Sequence, residues 1–233
     1  MFFLKNKIEK ISLEETLSVL KKQEAVLVRK EEICDLFLEG EYNLQRETMP
    51  LLKAAIDLKN DNEDDSCDIY YINKGYVASI LWGTGEPVIW KGDSVESEWI
   101  LRLNGECNLR VSDTRTFIKL ILEQEKELNQ IEWNLYFRKL LLNVLRENID
   151  LITKEWKTEG EEIKIEINKS SLVLGELYEK AIAQTGLELI GFCINEVHFK
   201  IGDEKIKKCP KCERTYTMDD YFCVECGTKL EVV

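Results

Sequence analysis

The sequence predicts an α+β domain with a small cysteine-rich module behind it. Residues 24–111 are dominated by short apolar runs rich in branched residues, the pattern of strands. Residues 113–186 carry apolar side chains at helical spacing, and Leu187 to Ile201 returns to strand character. Strands, then helices, then one strand is the order of an α+β fold. The third observation is two Cys-x-x-Cys pairs near the C-terminus, Cys209/Cys212 and Cys223/Cys226.

The early runs are Glu24 to Arg29 and Ile33 to Leu38, the second closed by Gly40. Asn60 to Asp68 reads as a solvated acidic loop between Leu51–Leu58 and Ile69–Ile72; it lacks the pattern of a calcium loop. In Trp99 to Val111, Trp99, Leu101, Leu103, Cys107, Leu109 and Val111 alternate with mostly polar residues. Asn104-Gly105 is a hairpin signal. A two-residue hairpin there, however, sets Leu103 opposite Glu106 and Leu101 opposite Asn108, apolar against polar. One strand through Gly105 keeps the apolar face in phase. A single long strand, bent at the glycine, is therefore expected.

Three helices should follow. Asp113 or Thr114 caps the first and sets Phe117, Leu120, Ile121 and Leu128 on one side. The second spans about Glu132 to Trp156, with a stripe of Phe137, Leu141, Val144, Leu145 and Ile152, and is long enough to offer surface to another subunit. The third begins near Ser170 or Ser171, buries Leu174, Leu177, Tyr178, Ala181 and Ile182, and ends on Gly186. Gly202 to Lys208 is a polar linker, so the expected division is residues 1–203 and 204–233.

The 233 residues hold 32 Lys and Arg against 44 Asp and Glu, a net charge of −12. Such a field repels nucleic acid and anionic lipid at long range. No apolar run approaches the roughly 20 residues that span a bilayer. Met1-Phe2-Phe3-Leu4-Lys5 lacks the apolar core of a signal peptide, so a cytoplasmic protein is expected. Phe2, Phe3 and Leu4 read as a docked or frayed terminus, with shallow membrane contact as the alternative. The other four cysteines stand apart at 34, 67, 107 and 193, and nothing supplies the oxidising compartment a disulfide framework needs. Cys107 and Cys193 are expected in apolar surroundings.

Ten residues separate the two cysteine pairs, the spacing of a zinc ribbon. Four thiolates make a closed tetrahedral set, so Zn2+ held by Cys209, Cys212, Cys223 and Cys226 would be structural rather than catalytic. Gly227 fits the positive φ of the second knuckle, and Glu213 stands at the equivalent place in the first, at some cost in strain. Lys207, Lys208, Lys211, Arg214 and Lys229 are balanced by Glu213, Asp219, Asp220, Glu225 and Glu231. Tyr216, Tyr221 and Phe222 are expected to pack around the metal or against a partner.

No catalytic residue is expected. Trp82-Gly83-Thr84-Gly85-Glu86-Pro87 lacks a phosphate-loop pattern and reads as a structural turn. The one histidine, His198, shares a solvated strand face with Glu196 and Lys200.

Several of these segments resemble bacterial SPFH/Band 7 proteins, in the branch called "SPFH domain/virion core protein-like", which often ends in a zinc ribbon. They are Glu24–Leu38 with Gly40-Glu41-Tyr42 and Met49-Pro50, Trp82 to Pro87, the Trp99–Val111 strand, the helix opened by Asp113, and Gly186-Leu187 leading into Phe192-Cys193-Ile194. The resemblance covers roughly residues 20–201. It implies a non-enzymatic, membrane-associated scaffold or adaptor in envelope stress. It further implies self-association, a membrane protein or phage-shock-protein-A-like partner, and a ribbon used for protein docking. The chain departs from many members in lacking an N-terminal membrane hairpin and a long coiled coil after the domain. Peripheral contact with the inner face of the membrane, through a partner or the N-terminus, is therefore expected. The alternative is a nucleic-acid-binding zinc-ribbon protein, phage-related; the balanced ribbon and acidic body argue against it.

Overall fold

The computed structural model describes residues 2–8, 16–43, 67–90, 99–124, 129–159, 162–201, 207–216 and 220–232. The chain forms two compact units. One comprises Met1–Ala78, Asn108–Asn134 and Ala181–Ile190; the other comprises Ser79–Cys107, Leu135–Lys180 and Gly191–Val233.

The first unit is built on β1 (Phe3–Ile8), β2 (Thr16–Val19), β3 (Gln23–Arg29), β4 (Glu32–Phe37), β5 (Gly40–Asn43) and β6 (Cys67–Asn73). Four of these make an antiparallel sheet in the order β1-β6-β3-β4, and β2 pairs with β5. The two early apolar runs are the β3–β4 hairpin. Arg29 faces Glu32, leaving Lys30 and Glu31 as a two-residue turn at φ 48° and 64°. That geometry matches the right-handed twist of the strands but normally selects Asn or Gly. Burial against the core therefore holds the hairpin despite its turn residues. Leu17, Val19, Ala25, Leu27, Cys34, Phe37, Cys67 and Ile69 form the core cluster, with Tyr42 against it. Met49-Pro50, Leu51–Leu58 and most of the acidic Asn60–Asp68 segment lie outside the described residues.

Phe2 is 1% exposed and lies edge-on to Tyr76 and Phe117, at 5.5 and 5.7 Å between centroids. The N-terminal aromatic is thus docked in the core. Helix α1 (Thr114–Leu122) contacts β3 and β4 and buries Phe117, Ile118, Leu120 and Ile121. Leu128, expected on the same face, lies outside the described residues. Asp113 caps this helix, accepting hydrogen bonds from the Thr116 amide at 3.1 Å and the Thr116 hydroxyl at 2.9 Å. Gly186, at φ 78°, accepts from the amides of Ser112 and Asp113 through its carbonyl. A Cβ there would fall 2.4 Å from the Asp113 carbonyl oxygen, so only glycine permits this approach.

The rest of the chain adds β7 (Ala78–Gly83), β8 (Val88–Trp90), β9 (Trp99–Val111), α2 (Gln130–Glu147), α3 (Ile149–Ile152), β10 (Lys157–Glu159), β11 (Glu162–Lys164), α4 (Ile167–Ala183) and β12 (Leu187–Ile201). A sheet runs in the order β12-β9-β7, with β8 also on β9. As the phase argument requires, β9 is one strand of 13 residues. At Gly105 a Cβ would lie 2.0 Å from the Cys193 carbonyl oxygen and 2.7 Å from the Trp82 ring. This glycine therefore serves close packing rather than a turn. Trp82 in turn stacks on Phe192 at 5.6 Å.

Four expectations need correction. The helices are not followed by a single strand: the antiparallel hairpin β10–β11 stands between α3 and α4. The second helix does not continue from Glu132 to Trp156. It breaks at Asn148, which has φ −123° and whose side-chain amide donates to the Val144 carbonyl at 2.9 Å. Asparagine offers the backbone a local partner and so weakens a helix interior. The stripe is nonetheless buried throughout: Phe137, Leu141, Val144, Leu145 and Ile152. The third helix starts at Ile167, before the serines. Ser170 is not a cap: its hydroxyl donates to the Ile152 carbonyl and accepts from the Trp156 indole N–H, both at 2.8 Å. Cys193, finally, is exposed, whereas Cys107 is buried. Along β12, Asn195 and Glu196 are both exposed. Simple alternation fails there, and Cys193 falls between the inward-packed Phe192 and Ile194. His198, Glu196 and Lys200 share the exposed face as expected.

Among the described residues, no helix is long and apolar enough to cross a membrane.

Candidate metal centre

The last described residues, 207–216 and 220–232, form a three-stranded sheet in the order β14-β13-β15. Its strands are β13 (Lys207–Lys208), β14 (Thr215–Tyr216) and β15 (Glu231–Val232). Two tight turns carry the cysteines, and they repeat one hydrogen-bond pattern. In the first, the Cys209 amide donates to the Arg214 carbonyl and the Glu213 amide to the Cys209 carbonyl, both at 2.8 Å. In the second, the Cys223 amide donates to the Thr228 carbonyl and the Gly227 amide to the Cys223 carbonyl, also at 2.8 Å. Glu213 at φ 58° and Gly227 at φ 68° occupy equivalent left-handed positions, as the sequence spacing implied. The glutamate carries the strain there.

These turns bring the four Sγ atoms within 4.8 Å of one another, the one such group among the described residues. Cys209 and Cys226 lie 3.5 Å apart, Cys212 and Cys223 3.5 Å, and Cys212 and Cys226 3.9 Å. A tetrahedron of zinc–sulfur bonds of about 2.3 Å has edges of about 3.8 Å. These three separations are close to such an edge, and an all-thiolate set suits zinc. A metal held by all four would keep no open position, so its chemistry would be cross-linking rather than catalysis.

The electrostatics favour thiolate in part of the set. Burial pushes Cys223 up, but the Tyr216 hydroxyl, 2.9 Å away, and the amides of Cys226 and Glu225 more than offset it and hold the thiol at about 6. Cys209 is also lowered: amides of Cys212 and Lys211 outweigh its burial. Cys212 moves the other way, to about 12, through burial and through its contacts with the sulfurs of Cys209 and Cys223. Elsewhere, burial raises Cys107 to about 12 and raises Cys34 as well, which removes both as thiolate nucleophiles at neutral pH.

The ribbon core is small: Cys209, Tyr216, Cys223 and Leu230 are buried, with Cys212 and Cys226 against them. Tyr216 packs at the site as expected, whereas Tyr221 and Phe222 are exposed. Lys207 lies 4.4 Å over the Tyr221 ring and donates to the Asp220 carbonyl at 2.7 Å.

One residue that the sequence reading left unmarked ties the ribbon to its unit. The segment Trp82 to Pro87 is a turn between β7 and β8, pinned by Thr84, whose amide donates to the Leu103 carbonyl at 2.9 Å. Its Glu86 is buried. One oxygen accepts from Arg214 at 2.9 Å and lies 3.4 Å from the Tyr216 hydroxyl; the other accepts from Arg146 at 3.4 Å. Tyr216 thus stands between Glu86 and the Cys223 sulfur. A second link pairs Arg102 with Asp220 at 3.3 Å. In a chain with 44 acidic residues, nothing in the local sequence singles out Glu86.

The family model for the SPFH domain-Band 7 family matches residues 4–211. The chain belongs to the SPFH domain-Band 7 family. Membership of this SPFH chain agrees with its mixed strand and helix content and with the α+β order of its elements. SPFH proteins are in general membrane-associated, non-enzymatic scaffolds, and their domains commonly self-associate and interact with proteins in membranes. The matched span ends inside the first cysteine turn, between Lys211 and Cys212. No curated protein matches the chain.

Proposed function

We propose that this SPFH chain is a non-enzymatic, membrane-associated scaffold or adaptor. Its residues 1–203 act as the SPFH body. Its residues 204–233 act as a protein-docking ribbon built on structural Zn2+ at Cys209, Cys212, Cys223 and Cys226. The observation that carries the scaffold is the family match over residues 4–211. The four-sulfur cluster supports the metal. The setting is envelope stress at the inner face of the membrane. There the chain self-associates and meets a membrane protein or a phage-shock-protein-A-like partner, as in the virion-core-like branch it resembles.

The nucleic-acid reading loses ground at the ribbon itself. Arg214 is held by Glu86 and Glu225, at 2.9 and 3.1 Å, and Lys207 by Tyr221 and Asp220. Phosphate contacts need cations that are free to make them; these two are engaged, and the acidic field of the chain opposes the remaining lysines.

The test is a pull-down from the native host with the intact chain and a Cys209→Ser/Cys212→Ser variant, alongside zinc quantification and membrane fractionation. One zinc per intact chain, membrane recovery and partners lost with the variant are expected. An unchanged partner set ends the docking role. A monomer free of all membrane fractions ends the scaffold role.

A further inference from the structure

A cleft of about 420 Å³ opens where α2 meets the Glu86 turn and the second cysteine turn, within one compact unit. Its charge runs against that of the molecule. Arg138, Lys139, Arg146 and Arg214 line it against two carboxylates, Glu86 and Glu225. The chain as a whole has 44 acidic and 32 basic side chains.

The pairing inside the cleft is uneven. Glu86 serves Arg146 and Arg214. Glu225 serves Arg214 closely and Lys139 only at 3.9 Å, with the Lys139 side chain 68% exposed. Arg138 donates to the Gly83 carbonyl at 2.8 Å and, among the described residues, pairs with no carboxylate. A guanidinium with donors to spare is suited to bidentate capture of a carboxylate. Apolar surface borders these cations: Leu135 on α2 is 48% exposed and Val224 on the cysteine turn 69%. From Leu135 to Arg146 the helix face runs about 16 Å, the length of roughly five extended residues.

We propose that this cleft docks an acidic peptide segment of a partner protein, with carboxylates on Arg138 and Lys139 and an apolar side chain against Leu135 and Val224. The proposal rests on the docking reading above and sharpens it. The docking surface is composite, half helix and half ribbon, so it exists only while the metal holds the second turn in place. Simple anions satisfy the cations but leave Leu135 and Val224 in water, which favours a peptide over inorganic phosphate. Charge complementarity further selects an acidic strand from its basic counterpart.

The experiment uses the full-length, zinc-loaded chain and fluorescence anisotropy with a labelled peptide of alternating Glu and Leu. A Lys-Leu peptide, inorganic phosphate and phosphatidylglycerol vesicles are run in parallel. Saturable binding of the acidic peptide alone is expected. Arg138→Glu should weaken it about tenfold or more, with Arg138→Lys in between. Chelation of zinc should abolish it. Because Arg138 also holds the Gly83 carbonyl, Lys139→Glu and Leu135→Asp, at exposed positions, provide the second measure, and each should weaken binding several-fold. Unchanged affinity in both overturns the proposal, as does displacement by phosphate or a preference for vesicles. Zinc stoichiometry read on the same samples keeps the two readings apart. One bound zinc without peptide binding sinks the cleft and leaves the ribbon, whereas absence of zinc sinks the ribbon itself.

Discussion

The core around Leu17, Ala25, Leu27 and Ile69 and the core around Tyr216 and Leu230 are assembled by different forces. The first gathers eight buried side chains from several strands, closed by sheet hydrogen bonding. Burial of that kind contributes about 25 cal/mol per Å² of apolar surface and needs no cofactor. The second has two buried residues besides its cysteines, too little to offset the entropy of ordering its backbone. Its residue types show the substitute. Four sulfurs converge, two turns accept left-handed backbone, and a carboxylate reaches in from the Glu86 turn. On the proposed reading, a metal cross-link takes over the role that apolar area plays in the strand core.

That contrast can be broken at either end. The largest effect is expected from Cys223→Ser. Structural zinc sites supply about 10–16 kcal/mol of apparent binding energy, which on the proposed reading would be folding energy of the ribbon. The variant should lose its zinc and the exchange protection of amides 207–232 while the strand core keeps its melting transition, checked by metal analysis and hydrogen exchange. A ribbon that stays protected without metal would remove the distinction. Phe117→Ala probes the opposite case. Phe117 is fully buried and touches Phe2 and Trp133, so its loss should cost about 3–5 kcal/mol in denaturant unfolding with zinc content unchanged.

Glu86→Gln tests the tie between ribbon and body. It leaves Arg146 without its carboxylate and Arg214 with Glu225 alone. Both side chains are over a third exposed, and solvent screens part of the loss, so about 1–3 kcal/mol is expected. Zinc should remain bound while ribbon amides exchange faster, because the link and not the metal has been cut. Asp113→Ala is the smallest, about 1 kcal/mol for a lost cap. Its sign with pH is fixed. The Thr116 amide, against desolvation, and the Thr116 hydroxyl hold the Asp113 carboxyl below its usual value. The cap's contribution is therefore full above about pH 4 and fades as pH falls through the lowered folded value. Asp113→Ala should be insensitive over that range, which acid titration of stability would check.

The convergence of the four cysteines was legible because two Cys-x-x-Cys pairs impose a short, fixed spacing that survives in one dimension. The phase of β9 was legible for a similar reason: side chains alternate with period two, so a hairpin at Asn104-Gly105 contradicted its own neighbours. The start of α4 was not, since serine is both a common cap and a small buried donor. Only the approach of Trp156 and the Ile152 carbonyl decided which role Ser170 plays. Cys193 was misplaced because β12 does not alternate evenly: Asn195 and Glu196 are both exposed, which shifts the inward phase between Ile194 and Val197.

The sequence by itself did not determine β1, β2 or the β10–β11 hairpin. It did determine the broad order of strands before helices before a last strand, the α1 cap, the strand through Gly105 and the pairing of the four cysteines. Each is set by interactions between residues near one another along the chain or by strict periodicity. Tertiary structure alone decided that Glu86 receives Arg214 and Arg146 across separations of 128 and 60 residues. It alone decided that a basic cleft opens on an acidic protein. Long-range pairing depends on which surfaces fold together, and a carboxylate looks the same in sequence whether it meets water or a buried guanidinium.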